Sequence, residues 1–129
     1  MIKIYRCSLL IMLVLHGLWF FVPWMDREAL DAMYWSGFGA KLDIRVIFYT
    51  IMITAWLYFP VYIALFFFSR IARSLHVLLI VTAPLLSLSY GMHVVSPVEM
   101  MFLNLMGPLD GIIIAIGFFT SVSTRFGKW

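Results

Sequence analysis

The stretch that decides the fold runs from Ile44 to Ser74 and reads IRVIFYTIMITAWLYFPVYIALFFFSRIARS. Its apolar part is longer than the roughly 18 residues that mark a membrane-crossing helix, so it predicts a transmembrane span. Arg70 and Arg73 follow that apolar part directly. Because basic residues beside a span are typical of its cytoplasmic end, this end of the helix is predicted to face the cytoplasm.

The composition of the whole chain also indicates a membrane protein. Of its 129 residues, 64% are hydrophobic and 12% are charged, and the mean hydropathy is +1.04. A soluble domain has about 25% charged residues, and a chain this short has too little interior to bury such an excess of apolar side chains. Lipid must therefore cover the remainder. The single cysteine, Cys7, excludes an internal disulfide framework.

Three other apolar segments lie around the first stretch, and together they predict the fold. We expect an all-α chain that forms an integral membrane four-helix bundle, with residues 1–129 as one transmembrane domain. The four spans are predicted at residues 4–22, 44–69, 75–95 and 108–126. The turn at 70–74 is short, so the second and third spans are predicted to be antiparallel neighbours.

The loop between the first two spans contains a shorter helical pattern. Asp26 suits the N-cap position of a helix over residues 27–36, and Gly37 and Gly39 would end that helix. We expect an interfacial helix that lies flat on the outer membrane surface. A solvated loop helix is the equal alternative.

A second interfacial helix is predicted before the last span. Residues 96–99, Ser-Pro-Val-Glu, match a helix start, with serine as N-cap, proline at the first helical position and glutamate completing a capping box. This helix is predicted to end at the Gly-Pro pair 107–108, where the fourth span begins. One kinked helix over 97–126 is the alternative.

The charged residues divide between the two predicted sides of the membrane. The inner side carries six basic residues and no acidic residue: Lys3, Arg6, Arg70, Arg73, Arg125 and Lys128. The outer loops carry Arg27, Lys41, Arg45, Asp26, Glu28, Asp31, Asp43 and Glu99. This positive-inside bias predicts cytoplasmic N- and C-termini, in a membrane of the bacterial inner (plasma) type. It also accounts for the net charge of +3 without nucleic-acid binding.

Asp110 is the acidic residue that falls inside a predicted span, three positions into the fourth. An ionisable residue within a span is costly and indicates a functional site, usually with a partner. The predicted register permits a pair with Arg45 or with His93. A proton or cation site is one interpretation. A carboxylate that satisfies free amides at a helix N-terminus is the structural alternative.

His16 is predicted near the middle of the first span, with Thr54 and Ser87 at similar depths on other helices. Together they predict a polar layer inside the bundle. In one interpretation the histidine stays neutral and bonds a nearby hydroxyl or carbonyl group. In the other it holds a haem, chlorophyll or quinone. His76 and His93 are predicted at other depths, so paired haem ligands are not expected, and we predict neither a cofactor nor a metal.

Gly107, Gly111 and Ala115 form a row of small residues spaced four apart on the fourth span. Such rows let the backbones of two membrane helices approach closely. The row predicts packing inside the bundle, or docking on a helix of another chain or of a second copy.

The sequence contains no motif of an enzyme, and we expect a non-enzymatic protein. It has no glycine-rich phosphate loop, no metal-spaced Cys/His cluster and no nucleophile elbow. The leading hypothesis is a small polytopic inner-membrane accessory or interaction protein that packs against a larger membrane complex or a specific partner, as an immunity protein does. Its expected partners are the lipid bilayer and other membrane chains or copies of itself.

Two alternatives remain open at this stage. The first is a small oligomeric ion- or proton-coupled channel or transporter, with Asp110, Arg45 and His16 along its route. The second is a cofactor-holding subunit of an electron-transfer or light-harvesting complex, with His16 as the ligand.

Overall fold

A computed structural model describes residues 1–25, 43–88 and 96–126. Over these ranges the chain is helical and contains no β-strand. The α-helices in them are α1 (Ile2–Met25), α2 (Ile44–Phe66), α3 (Arg70–Ser87) and α4 (Pro97–Phe119), and a 3₁₀ helix, Ser121–Phe126, follows α4. The helix predicted over 27–36, its N-cap Asp26 and the site residue His93 lie outside the described residues.

Three of the described helices are long and apolar enough to cross a membrane. They are α1 over Ile2–Val22, α2 over Tyr49–Phe66 and α4 over Pro97–Phe119. Helix α3 is not among them; it has 18 residues, and Arg70, Arg73 and His76 lie in its first two turns. The structure therefore supports an all-helical, membrane-associated chain with three candidate spans.

The end of α2 differs from the prediction that the second span reaches residue 69. Phe68 adopts the left-handed conformation, with φ of 58°. Its N–H donates to the Leu65 carbonyl at 2.9 Å, and the N–H of Ser69 donates to the Ala64 carbonyl at 3.0 Å. These two bonds form a Schellman motif, which satisfies the last carbonyls of the helix and stops it at Phe66.

Helix α3 begins where a turn was predicted. The Ser69 hydroxyl accepts a hydrogen bond from the Ala72 N–H at 3.4 Å, so Ser69 is the N-cap of a helix that starts at Arg70. The residues predicted as the turn at 70–74 are therefore the first helical turn. Helices α2 and α3 are neighbours, as predicted for the second and third spans, because they are in close contact across a short connection.

The predicted helix end at Gly107-Pro108 is wrong, and the alternative of one kinked helix over 97–126 is right in its continuity as far as Phe119. Helix α4 passes through Pro108, because buried Met106 before it and Ile113 after it pack into the same core cluster. After Thr120 the chain changes to the 3₁₀ helix. The third of the three candidate spans is therefore Pro97–Phe119, displaced toward the N-terminus from the fourth span predicted at 108–126.

The predicted capping box at the start of α4 is confirmed. The Ser96 hydroxyl accepts from the Glu99 N–H at 3.2 Å, and a Glu99 carboxylate oxygen accepts from the Ser96 N–H at 3.1 Å. Each bond satisfies a backbone donor that a bare helix end would leave free.

Packing among the helices is uneven. Helices α1 and α4 lie close together along their lengths, as do α2 and α3, whereas α3 and α4 approach closely at few positions. The described core includes Tyr5, Leu9, Met12, Val61, Tyr62, Leu65, Met106, Ile113, Ile116, Val122 and Phe126. In lipid, such a core stabilises the bundle through van der Waals packing and interhelical hydrogen bonds.

Aromatic side chains join the N-terminus, the α2–α3 turn and the C-terminal 3₁₀ helix at one end of the bundle. The rings of Tyr5 and Phe68 have centroids 5.9 Å apart, and Phe126 lies 6.0 Å from Tyr5 and 5.5 Å from Phe68. The Arg6 guanidinium lies 5.3 Å from the Phe68 ring, and Arg70 Nε donates to the Phe126 carbonyl at 2.6 Å. We call this the basic end. Lys3 lies in the first turn of α1 and Arg125 in the last turn of the 3₁₀ helix, so both residues belong to it.

Candidate functional site

One polar side chain from each α-helix enters a common buried region. These residues are His16 of α1, Tyr62 of α2, His76 of α3 and Asp110 of α4, and we call them the four-helix polar cluster. His16, Tyr62 and His76 are buried, and Asp110 is half-buried. A group of ionisable side chains inside a membrane bundle is a functional-site candidate, because lipid gives such groups no solvation.

Asp110 is at the centre of the cluster. Its Oδ1 atom accepts a hydrogen bond from the Tyr62 hydroxyl at 2.9 Å. The same oxygen lies 2.8 Å from Nε2 of His76. The side chain of Asp110 is 15% exposed and that of His76 is 2% exposed, so little solvent competes with this contact. Asp110 therefore connects three helices through one oxygen atom.

The position of Asp110 corrects its predicted depth. It is thirteen residues after Pro97 and nine before Phe119, so it lies about 20 Å from the start of α4 and about 13 Å from its end. It is in the interior of the helix, nearer the basic end. The alternative that its carboxylate satisfies free amides at a helix N-terminus is therefore wrong, because those amides belong to the Ser96–Glu99 capping box.

Arg45 does not belong to the site. It lies seventeen residues before Tyr62 on α2, which is about 25 Å along the helix axis. An arginine side chain cannot reach Asp110 over that distance. The predicted Asp110–Arg45 pair is therefore wrong; the backbone N–H of Arg45 instead donates to the Asp43 carboxylate at 2.8 Å, at the start of α2.

His16 lies among aromatic rings instead of hydroxyl groups. Its ring centroid is 4.9 Å from that of Tyr58, 5.5 Å from Tyr62, 6.0 Å from Phe59 and 6.4 Å from Trp19. His16 is only 6% exposed. Its Nδ1 atom is buried and has no hydrogen-bond partner among the residues that the structure describes.

The predicted polar layer of His16, Thr54 and Ser87 is not assembled through Thr54. The Thr54 hydroxyl donates to the Thr50 carbonyl of its own helix at 2.7 Å, so its proton is already used. Ser87 is the last residue of α3, and its side chain lies outside the described part of the chain. The residue that links His16 to other polar groups is Tyr62, whose ring packs edge-on against both His16 and His76.

Arg73 is a buried charge, although the sequence predicted it only as a marker of membrane topology. It lies one turn before His76 on α3 and is 6% exposed. Its Nη1 atom donates to the Gly117 carbonyl at 3.4 Å, and its guanidinium lies over the rings of Phe118 and Phe126 at 4.5 and 4.9 Å. The sequence did contain one signal for this position. Arg73 and His76 are three residues apart, which puts both side chains on one face of a helix.

The small-residue row on α4 faces outward. Gly107, Gly111 and Ala115 are all exposed. A Cβ atom built on Gly107 or Gly111 meets no atom of the described chain within 4 Å. The row therefore does not pack inside the described bundle. A polar residue, Asn104, is also exposed, one turn before the row.

The chemistry available at the cluster is proton exchange and hydrogen bonding. A carboxylate, two imidazoles and a phenol can each bind or release a proton, and Asp110 and His76 are in direct contact. Over residues 1–25, 43–88 and 96–126, no three His, Cys, Asp or Glu side chains are grouped so that they could hold a metal ion.

Comparisons of the chain with protein-family models, with curated proteins and with solved structures give no match.

Proposed function

We propose that this chain is a non-enzymatic accessory or interaction protein of a bacterial-type inner membrane, and that its outward-facing α4 binds a membrane-spanning helix of a larger complex or a specific partner. The observation that carries this proposal is the exposed row of Gly107, Gly111 and Ala115. An open row of this kind offers a flat strip on which a second helix backbone can pack at short range.

The polar groups at Asn104 support a protein partner over lipid at this face. The Asn104 side chain is exposed, and the residue lies seven positions, or two helical turns, before Gly111. Pro108 has no N–H, so it cannot donate to the Asn104 carbonyl four residues earlier. A side-chain amide and a freed carbonyl thus occur together, and lipid can hydrogen-bond neither. A partner helix with a polar side chain at that depth would satisfy both.

The proposed topology has four crossings and cytoplasmic termini. Its support is the basic end, where Arg6, Arg70 and Arg73 lie beside the 3₁₀ helix that carries Arg125. Basic residues gathered at one end are the pattern of the cytoplasmic side. In this arrangement the span predicted at residues 75–95 is the fourth crossing, and the buried Arg73 and His76 of α3 face the bundle interior.

The experiment is a tagged purification from native membranes in a mild detergent, with quantification of each co-purifying chain. A wild-type partner that is lost in Gly111→Leu and in Asn104→Leu, but kept in Gly17→Leu, supports the proposal. Gly17 is the matched control, because a Cβ atom there also meets nothing within 4 Å but lies on α1. A partner retained in all three variants, or a monomer in wild type, overturns it.

Expression of two differently tagged copies of the chain in one cell distinguishes binding to a different protein from binding to a second copy. Co-purification of the two tags that Gly111→Leu abolishes identifies self-association. A small channel or transporter, with Asp110, Arg45 and His16 along its route, is the alternative to this proposal. Flux in proteoliposomes that disappears in Asp110→Asn would favour that alternative over the interaction protein.

A further inference from the structure

We infer that the four-helix polar cluster is a proton-binding site, in which the two imidazoles flanking Tyr62 take up one proton and the Asp110 carboxylate balances its charge. This site is independent of the partner surface on α4. It is carried by the Asp110–His76 contact at 2.8 Å, by the aromatic surroundings of His16 and by its unpartnered nitrogen.

His16 is difficult to explain as a structural residue. A buried nitrogen without a hydrogen-bond partner destabilises the folded state, so an apolar side chain of similar size would fit this position better. The four surrounding rings leave Nδ1 inaccessible from outside. A proton occupies no cavity of its own, so it is a ligand that this closed site can accommodate.

The cluster also contains a group that can balance the charge of an imidazolium once it has formed. Aromatic rings enclose His16, with centroids between 4.9 and 6.4 Å from its own. The opposite charge is supplied by Asp110, which hydrogen-bonds the hydroxyl of Tyr62 on one side and contacts His76 on the other. Tyr62 is in ring contact with both imidazoles, at 5.5 Å from His16 and 5.4 Å from His76.

Titratable or charged groups face the cluster from every helix, and they act in opposite directions. On α1 and α2 these groups are His16, Tyr58 and Tyr62. On α3 they are His76 and Arg73, and on α4 the group is Asp110. The guanidinium of Arg73, one turn from His76, repels an added proton, whereas the Asp110 carboxylate attracts it. Proton uptake therefore depends on Asp110.

The test is a titration of the ring nitrogens by ¹⁵N nuclear magnetic resonance, with ¹⁵N-histidine protein in lipid nanodiscs. The background variant is His93→Gln, which leaves two histidines, and His16→Gln or His76→Gln assigns their signals. We expect one imidazole to change to the imidazolium signature on acidification while the protein stays folded. In Asp110→Asn we expect proton affinity to fall by about tenfold to a thousandfold, the range for loss of a nearby opposite charge.

Two controls make the outcome specific. Asp43→Asn removes an exposed carboxylate at the start of α2, where asparagine also serves as N-cap, and should leave the titration unchanged. Arg73→Gln removes the opposing charge and should increase proton affinity. Imidazoles that remain neutral until the protein unfolds, or a titration that Asp110→Asn does not move, would overturn the inference. The titration of the His93→Gln background alone decides the first outcome, even where a further variant fails to fold.

Discussion

His76 and Asp110, 34 residues apart in the sequence, form the contact that closes the bundle between α3 and α4. The backbones of these helices approach closely at few positions, so a side-chain pair makes the connection. A buried pair of this kind costs desolvation free energy, and its main effect is to fix which faces of two helices meet. The bond from Arg73 to the Gly117 carbonyl, two turns from Asp110 on α4, fixes the same register.

Replacing Asp110 with alanine should destabilise the protein strongly. The change leaves the Tyr62 hydroxyl and the His76 Nε2 atom buried without their acceptor, at about 1–3 kcal/mol for each group. Asp110→Asn is the matched control, since its carboxamide oxygen still accepts from both. We expect the free energy of unfolding, measured by reversible denaturation in mixed micelles, to fall much further in the alanine variant. Equal losses in the two variants would show that the acceptor at this position is unimportant.

Phe68 combines a left-handed backbone conformation with ring contacts, and Phe68→Gly tests which of the two has the larger effect on stability. Glycine relieves about 1–2 kcal/mol of backbone strain but removes the packing against Tyr5 and Phe126. Phe68 is half-buried, so we take the lower end of the about 3–5 kcal/mol that loss of a buried phenylalanine ring costs, and we expect a net loss of roughly 1–2 kcal/mol in unfolding free energy. Phe67→Gly is the control, because that ring is 75% exposed. A stabilised Phe68→Gly protein would contradict this balance.

The sequence was sufficient for the helical class and for the capping box of Ser96 and Glu99, and it identified Asp110 as an ionisable residue within a span. It was not sufficient for the partners of Asp110. Placing the last helix at residue 108 instead of Pro97 displaced its start by eleven residues, about 16 Å, which moved Asp110 to the wrong end of the bundle. Proline is tolerated inside helices that neighbours support, so Pro108 alone could not settle the boundary.

The rotation of each helix was harder to predict than its position. When lipid and core are both apolar, the residues facing them look alike, and the periodicity that marks a buried face in a soluble protein is lost. This is why the outward direction of Gly107 and Gly111 could not be read from their spacing. It is also why the basic residues were assigned to topology alone, although Arg73 is as buried as His16.

The proposed topology makes a direct prediction for cysteine labelling. In a Cys7→Ser background, single cysteines at Lys3 and Arg125 should react with a membrane-impermeant maleimide from the cytoplasmic side only. A cysteine at Asp43, at the opposite end of α2 from the α2–α3 turn, should react from the other side only. Lys3 and Arg125 are expected on the same side because the first turn of α1 and the last turn of the 3₁₀ helix both lie at the basic end. Labelling of Lys3 and Arg125 from opposite sides would rule out the four-crossing arrangement.

Gly117 should tolerate alanine but not leucine. A Cβ atom at Gly117 would lie 3.6 Å from Tyr5 Cε2 and 4.0 Å from Phe126 Cε2, which is ordinary contact, so alanine fits and also gains helix propensity. The longer leucine side chain would overpack this site and push the Gly117 carbonyl away from Arg73, at a cost of about 1–3 kcal/mol.

Denaturation in mixed micelles measures this difference, with Gly17→Leu as the control, because nothing lies within 4 Å of a Cβ atom there. A Gly117→Leu protein as stable as Gly17→Leu would mean that α1 and α4 are not in close contact at Tyr5. Because Tyr5, Phe126 and Arg73 meet at Gly117, the same result would also remove the structural basis for placing the N-terminus and the C-terminal 3₁₀ helix at one end of the bundle.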